Sequence, residues 1–185
     1  MQYIKLNFQA PIMAFGDATT AYQNVRDTAT HPTKSMVAGL IACAMGIGRE
    51  DARAQQIANT ITVYSTSLNR RGALWQDYQN AHMRKLNKKG EYGHRDDANV
   101  QRWKTYITNG RYVVFVGCED SVELERIYDS LSRPYWPIFA GRKCCPFAAP
   151  ITEKEYKHYS RDEIELCVKD FNEKEKENVT LCICQ

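Results

Sequence analysis

Residues 3–8 set apolar Ile4, Leu6 and Phe8 alternating against Tyr3 and Lys5, the period-two pattern of a strand with one face on a core. A turn-prone loop follows, Ala10-Pro11-Ile12-Met13-Ala14-Phe15-Gly16. From Ser35 to Ile47 no position carries a charge, which predicts a helix over about 34–46 that is buried on all sides except at its N-terminus. Ala38, Gly39, Ala42 and Cys43 give that helix a face of small residues, where packing would recover the cost of a mid-helix glycine. After a polar link, residues 57–66 predict a second strand around Ile61, Val63 and Tyr64.

Further on, Asn109-Gly110 marks a turn into the apolar, β-branched run 112–117, a central strand. Residues 120–131 place Leu124, Ile127, Tyr128 and Leu131 on one helical face behind Asp120 or Ser121 as cap. A Pro- and Gly-punctuated segment can then supply a last strand. This order predicts an α+β fold: a ferredoxin-like (RRM-like) βαββαβ core over residues 1–150, with one sheet face exposed.

The C-terminal extension, residues 151–185, carries two overlapping patterns. Ser160 and Glu163 form a capping box, with Ile164, Cys167, Val168 and Phe171 at helical spacing. Ile164, Leu166 and Val168 also alternate, as do Val179, Leu181 and Ile183, and we read the extension as a short β-hairpin with a charged tip at 172–178.

Charge changes the picture at one place. The 185 residues carry 25 basic and 22 acidic side chains, a size suited to one domain. Between residues 67 and 112, however, ten are basic and four acidic. A long basic thumb at about 67–109 therefore carries the positive field, and Arg70, Arg71, Lys85, Lys88, Lys89, Arg95 and Arg102 are its electrostatic candidates for a polyanion. Aromatic residues interleave with these cations: Trp75, Tyr78, Tyr92 and Trp103 can stack on unpaired bases, although Trp103 with Val100 and Ile107 can equally anchor the thumb to the core. Its centre, 87–94, is flexible in composition.

Two smaller features suit phosphate. Thr33 or Ser35 caps the uncharged helix beside Lys34, and a helix N-terminus presents unpaired N–H groups. Gly141-Arg142-Lys143 puts a glycine before paired cations. A nucleotide P-loop is a poorer fit, because Thr28 and Thr33 stand where it needs glycine. Seven cysteines without a C-x-x-C pair or a histidine at ligand spacing argue against zinc and against a disulfide scaffold; we read them as reduced thiols, mostly buried, and expect no cofactor or metal. No apolar stretch has membrane-spanning length and the N-terminus does not read as a signal peptide, so the expected location is the cytoplasm, with no membrane partner.

Several motifs together resemble a known family. The Ala10–Gly16 loop, Arg26 to Thr28, Pro32-Thr33-Lys34-Ser35 opening a helix that ends in Met45-Gly46-Ile47, Trp103-Lys104-x-Tyr106, Arg133-Pro134-x-x-Pro137 and Gly141-Arg142-Lys143-x-Cys145-Pro146 are similar to the CasD subunits of type I-E CRISPR Cascade. The resemblance implies a non-catalytic RNA-binding subunit that holds the 5′ handle of the guide crRNA beside the backbone and large subunits and meets target DNA only through the complex. It also implies handle contacts at Arg26, Thr33, Lys34 and Ser35, a thumb base at Trp103 and Lys104, and a phosphate loop at Gly141, Arg142 and Lys143. Met13, Phe15 and Lys104 depart from the residues common in relatives. The alternative is a metal-independent endoribonuclease cleaving repeat RNA, for which Tyr22, His31 and Lys34 are the available group.

Overall fold

The computed structural model describes residues 1–16, 24–68, 72–82, 99–175 and 181–183. In chain order the first elements are β1 (Gln2–Gln9), β2 (Ile12–Met13), β3 (Val25–Arg26), α1 (Lys34–Ala44), α2 (Ala52–Thr60) and β4 (Thr62–Ser67). They are followed by β5 (Leu74–His82), β6 (Asn99–Thr108), β7 (Arg111–Cys118), α3 (Ser121–Ser132), α4 (Arg161–Glu175) and β8 (Cys182–Ile183).

One antiparallel sheet has the order β1-β7-β4-β8, with Ile4 opposite Val116 and Leu6 opposite Val114. Ile4, Leu6, Phe8, Val114 and Val116 face α1 and α3, where Ile41, Leu124 and Ile127 complete the main core. Each such fully buried apolar side chain contributes about 1.5–3 kcal/mol. Asn109 supplies the predicted turn with a positive φ of 53°.

The second sheet has the order β2-β6-β3, and β5 joins it through β6. Its β3–β6 pairing is parallel, with Val25 opposite Trp103 and Arg26 opposite Lys104. β5 and β6 form a continuous antiparallel pair from Leu74–Ile107 out to His82–Asn99.

Five expectations need correcting. The polar link is a helix, α2, capped by the Asp51 carboxylate on the Arg53 N–H, so Ile57 lies in a helix and β4 begins only at Thr62. In the C-terminal extension the helix α4 takes the place of the expected hairpin, and the short strand β8 pairs with β4. Glu163 accepts from the Ser160 N–H at 2.7 Å and the Ser160 hydroxyl accepts from the Glu163 N–H at 3.3 Å. That reciprocal cap satisfies two orphan N–H donors, which the alternating residues alone could not do.

The Pro- and Gly-punctuated segment expected to supply a last strand makes one isolated bridge, Phe139 to Pro146, and β1 is met instead by isolated bridges from beyond it, Leu6 to Thr152 and Tyr3 to Tyr159. Pro146 and Pro150 have no N–H to give a ladder, so the βαββαβ order is not completed. Nor does the sheet keep an open face. Tyr3, Tyr64, Val113 and Phe115 project opposite to the main core and are buried with Tyr159 and Ile164, while Arg161 donates to the Tyr64 hydroxyl at 2.6 Å. Finally, α1 is not enclosed all round. Gly39 is exposed with nothing within 4 Å of where its Cβ would be, so its small-residue face receives no partner there.

Six described cysteines are free, and of these Cys118 and Cys145 are buried. Among the described residues no group of three metal-ligating side chains forms, and no helix is long and apolar enough to cross a membrane.

Candidate nucleic-acid interface

The loop at residues 10–16 organises the site. Its Phe15 N–H donates to the Thr28 hydroxyl at 2.9 Å, and Gly16 accepts from the Ala29 N–H at 3.1 Å. Thr33 is the N-cap of α1: its hydroxyl accepts from the Met36 N–H at 3.3 Å and donates to the Phe15 carbonyl at 3.2 Å. Ser35 lies 3.3 Å from the same hydroxyl. Thr33 is therefore committed to backbone groups, and Lys34, which begins the helix, has no ionic partner among the described residues.

The same loop meets the glycine turn. Ala14 donates to the Ala140 carbonyl at 3.1 Å, and Gly141, at φ +95°, lies so close to Ala14 that no side chain fits. The glycine allows one segment of the chain to cross another. Cys145 closes the turn onto the Arg142 carbonyl at 2.9 Å.

Arg142 points inward. Its guanidinium donates to the Thr105 carbonyl at 3.0 Å and the Arg26 carbonyl at 2.9 Å, and reaches the Asp27 carbonyl at 3.5 Å. It also lies over the Tyr106 ring, 4.6 Å from the centroid. Lys143 is exposed; burial raises the pKa of the Cys43 thiol, and the nearby Lys143 charge offsets that only in part.

On the hairpin, alternation separates what the sequence interleaves. Arg102, Lys104 and Tyr106 share one face with Trp75, Asp77 and Gln79, and the β3 register puts Arg26 on that same face. Trp75 packs on Tyr106 at 5.5 Å between centroids. Lys104 donates to the Gln79 carbonyl oxygen, and the Gln79 amide donates to Asp77 at 2.7 Å, so this cation is tethered.

The opposite face carries Tyr78 and Trp103 with ring centroids 4.7 Å apart, exposed by 44% and 42%. Trp103 is not the buried anchor; Tyr106 and Ile107 are, at 3% and 2% exposure. Arg70, Arg71, Lys85, Lys88, Lys89, Tyr92 and Arg95 lie outside the described residues, as does Tyr22. His31 has Thr30 at 3.2 Å from Nδ1 and the Cys182 thiol at 3.7 Å from Nε2.

Residues 3–179 match the family described as CRISPR-associated protein (Cas_Cas5). The chain belongs to the Cas5 family. Its curated relative, the CRISPR system Cascade subunit CasD of Escherichia coli (strain K12), is 22% identical over 160 residues, covering 80% of this chain and 69% of that one. Among solved structures, a chain of a CRISPR RNA-guided surveillance complex superimposes with a TM-score of 0.70 at 20% identity. That match spans 89% of this chain and 66% of the neighbour's length, just under two thirds. A second, the crystal structure of a Cas protein, gives 0.61 at 23% identity, over 88% of this chain and 69% of that one. These likenesses establish a shared fold.

In this Cas5 chain the sequence reading missed the roles of Thr28, Gln79 and Tyr106. Thr28 and Gln79 act through hydrogen bonds to distant segments that no local pattern announces. Tyr106 was legible: it stands two residues from Lys104 on the same face of a strand, next to a buried isoleucine.

Proposed function

We propose that this Cas5 family chain is the non-catalytic subunit of a type I-E CRISPR Cascade, which binds and caps the 5′ repeat-derived handle of the guide crRNA and helps assemble the effector in the cytoplasm with the backbone and large subunits. The observation that carries the reading is the gathering of Arg26, Arg102 and Lys104 on one face of the second sheet, reached from the α1 entrance through the 10–16 loop. Cations of this kind track a ribose-phosphate backbone, and the Tyr78–Trp103 pair on the opposite face of the hairpin offers ring faces to unstacked bases.

The sequence of the thumb at 67–109 carries further basic residues. A ferredoxin-like core is consistent with the sheet order β1-β7-β4 under α1 and α3, its fourth strand reduced to bridges. Within the site, Lys34, Ser35 and Lys143 are the phosphate-facing candidates, while Thr33 and Gly141 hold the backbone that presents them.

The test is fluorescence anisotropy of the full chain with an RNA of the host's repeat-derived handle and with a scrambled RNA of equal length, from 50 to 300 mM salt. The expected result is tighter binding of the handle, with a log–log salt slope of several times −0.7, one such increment per phosphate neutralised. Equal binding of both RNAs, or affinity independent of salt, would overturn the reading.

A further inference from the structure

We infer that Arg142 is a positioning residue for the RNA site, not one of its phosphate ligands. The inference rests on the RNA-binding reading above and deepens it. The guanidinium joins three separate segments: the turn at 139–146 that carries it, β6 through Thr105, and β3 with the residue after it through Arg26 and Asp27. β3 has only two residues, and its parallel pairing to β6 covers only Val25 and Arg26. So short a strand is marginal by itself, and the guanidinium bonds to the Arg26 and Thr105 carbonyls tie it to β6 a second time.

The seat beneath the guanidinium is also built. Tyr106 is buried, its ring lies under the cation, and its hydroxyl sits 3.5 Å from the Cys144 thiol of the same turn. A planar fork can bridge carbonyls on two strands while stacking on a ring; a lysine ammonium cannot. Arg142 thereby fixes the strand from which the Arg26 side chain projects against the strand from which Lys104 projects, and it leaves Lys143 as the outward cation of the pair.

The experiment measures handle RNA affinity of the active fraction, its salt slope and thermal stability for the wild type, Arg142→Ala, Arg142→Lys, Lys143→Ala and Tyr106→Leu. The last keeps every charge while removing the ring seat, and serves if Arg142→Ala does not fold. Expected for Arg142→Ala is a Kd raised at least about tenfold with the slope unchanged. Arg142→Lys should be as weak as alanine, and Tyr106→Leu should share the signature. Lys143→Ala should instead reduce the slope by about 0.7.

A slope reduced by about 0.7 in Arg142→Ala, or rescue by Arg142→Lys, identifies a phosphate ligand and overturns the inference. A lowered melting temperature with unchanged affinity of the folded fraction identifies a purely structural staple and also overturns it. Failure of the RNA reading itself is distinguishable, because it appears in the wild type as affinity that ignores salt and handle sequence.

Discussion

The carbonyl oxygen of Ala14 lies where a side chain on residue 141 would begin: a Cβ added to Gly141 would stand 1.7 Å from it. The obstruction is backbone, held by the Ala14 to Ala140 hydrogen bond, so it cannot swing away. Gly141 also has φ +95°, which other residues rarely adopt.

Gly141→Ala is therefore expected to destabilise the fold by at least about 2 kcal/mol, through strain and forced separation of two crossing segments. Thermal unfolding checks this. A variant melting with the wild type would mean that the crossing tolerates a side chain.

Gly39 predicts the opposite sign. It sits inside α1, exposed, with open space where its Cβ would go. Gly39→Ala should raise stability by about 0.5–1 kcal/mol, since alanine restricts the unfolded chain and suits a helix interior. A urea titration at constant m-value resolves a change of that size, and a loss of stability would show that something occupies the apparently open face.

The cap of α4 carries a pH dependence. The Glu163 carboxylate accepts the Ser160 N–H and its pKa is lowered, chiefly by that bond. The folded form therefore binds its proton less readily than the unfolded one. Its contribution is complete above the ordinary value near 4.5 and is lost as pH falls through the depressed folded value. Stability should decline across that acidic window, and Glu163→Gln should flatten part of the decline. Asp51, lowered to about 2 by Arg53, adds a similar trend that the substitution leaves in place. Denaturant midpoints for the two proteins between pH 7 and 2.5 separate the contributions; identical pH profiles would exclude the Glu163 one.

Trp103 separates recognition from folding. Its ring pairs with Tyr78 on the exposed hairpin face, while the anchoring burial belongs to Tyr106 and Ile107. Trp103→Ala should leave the melting temperature within a few degrees and weaken handle RNA binding by about 1–3 kcal/mol, the range for one base stacked on an aromatic ring. Unchanged affinity would assign this face to something other than bases.

Much of the main core was readable from alternation: Ile4, Leu6, Phe8 and the run at 112–117 lie where period two puts them. The run at 112–117 is apolar on both faces, yet the expected fold left one sheet face open; the structure covers both. What provides the cover was not readable, because helix and strand patterns coincide over Ile164 to Val168 and only the Ser160–Glu163 cap decides between them. At the site, residue types were legible and their assignments were not. Gly141 and Arg142 look like phosphate chemistry in a string of letters; the contacts of Gly141 with Ala14, and of Arg142 with Arg26 and Thr105, join residues too distant in sequence for a local pattern to announce.

β6 runs unbroken from Asn99 to Thr108, roughly 30 Å at about 3.3 Å per residue. Its inner end is gripped by β2 at Ile107 and Thr108, by β3 at Trp103 and Lys104, and by Arg142 at Thr105. Beyond Trp103 its described pairing is with β5 alone. The strand is thus a lever on a clamped fulcrum. Whatever pulls on its free arm delivers torque to the two residues of β3, and through Asp27 and Thr28 to the entrance of α1, with no intervening hinge of glycine to absorb it.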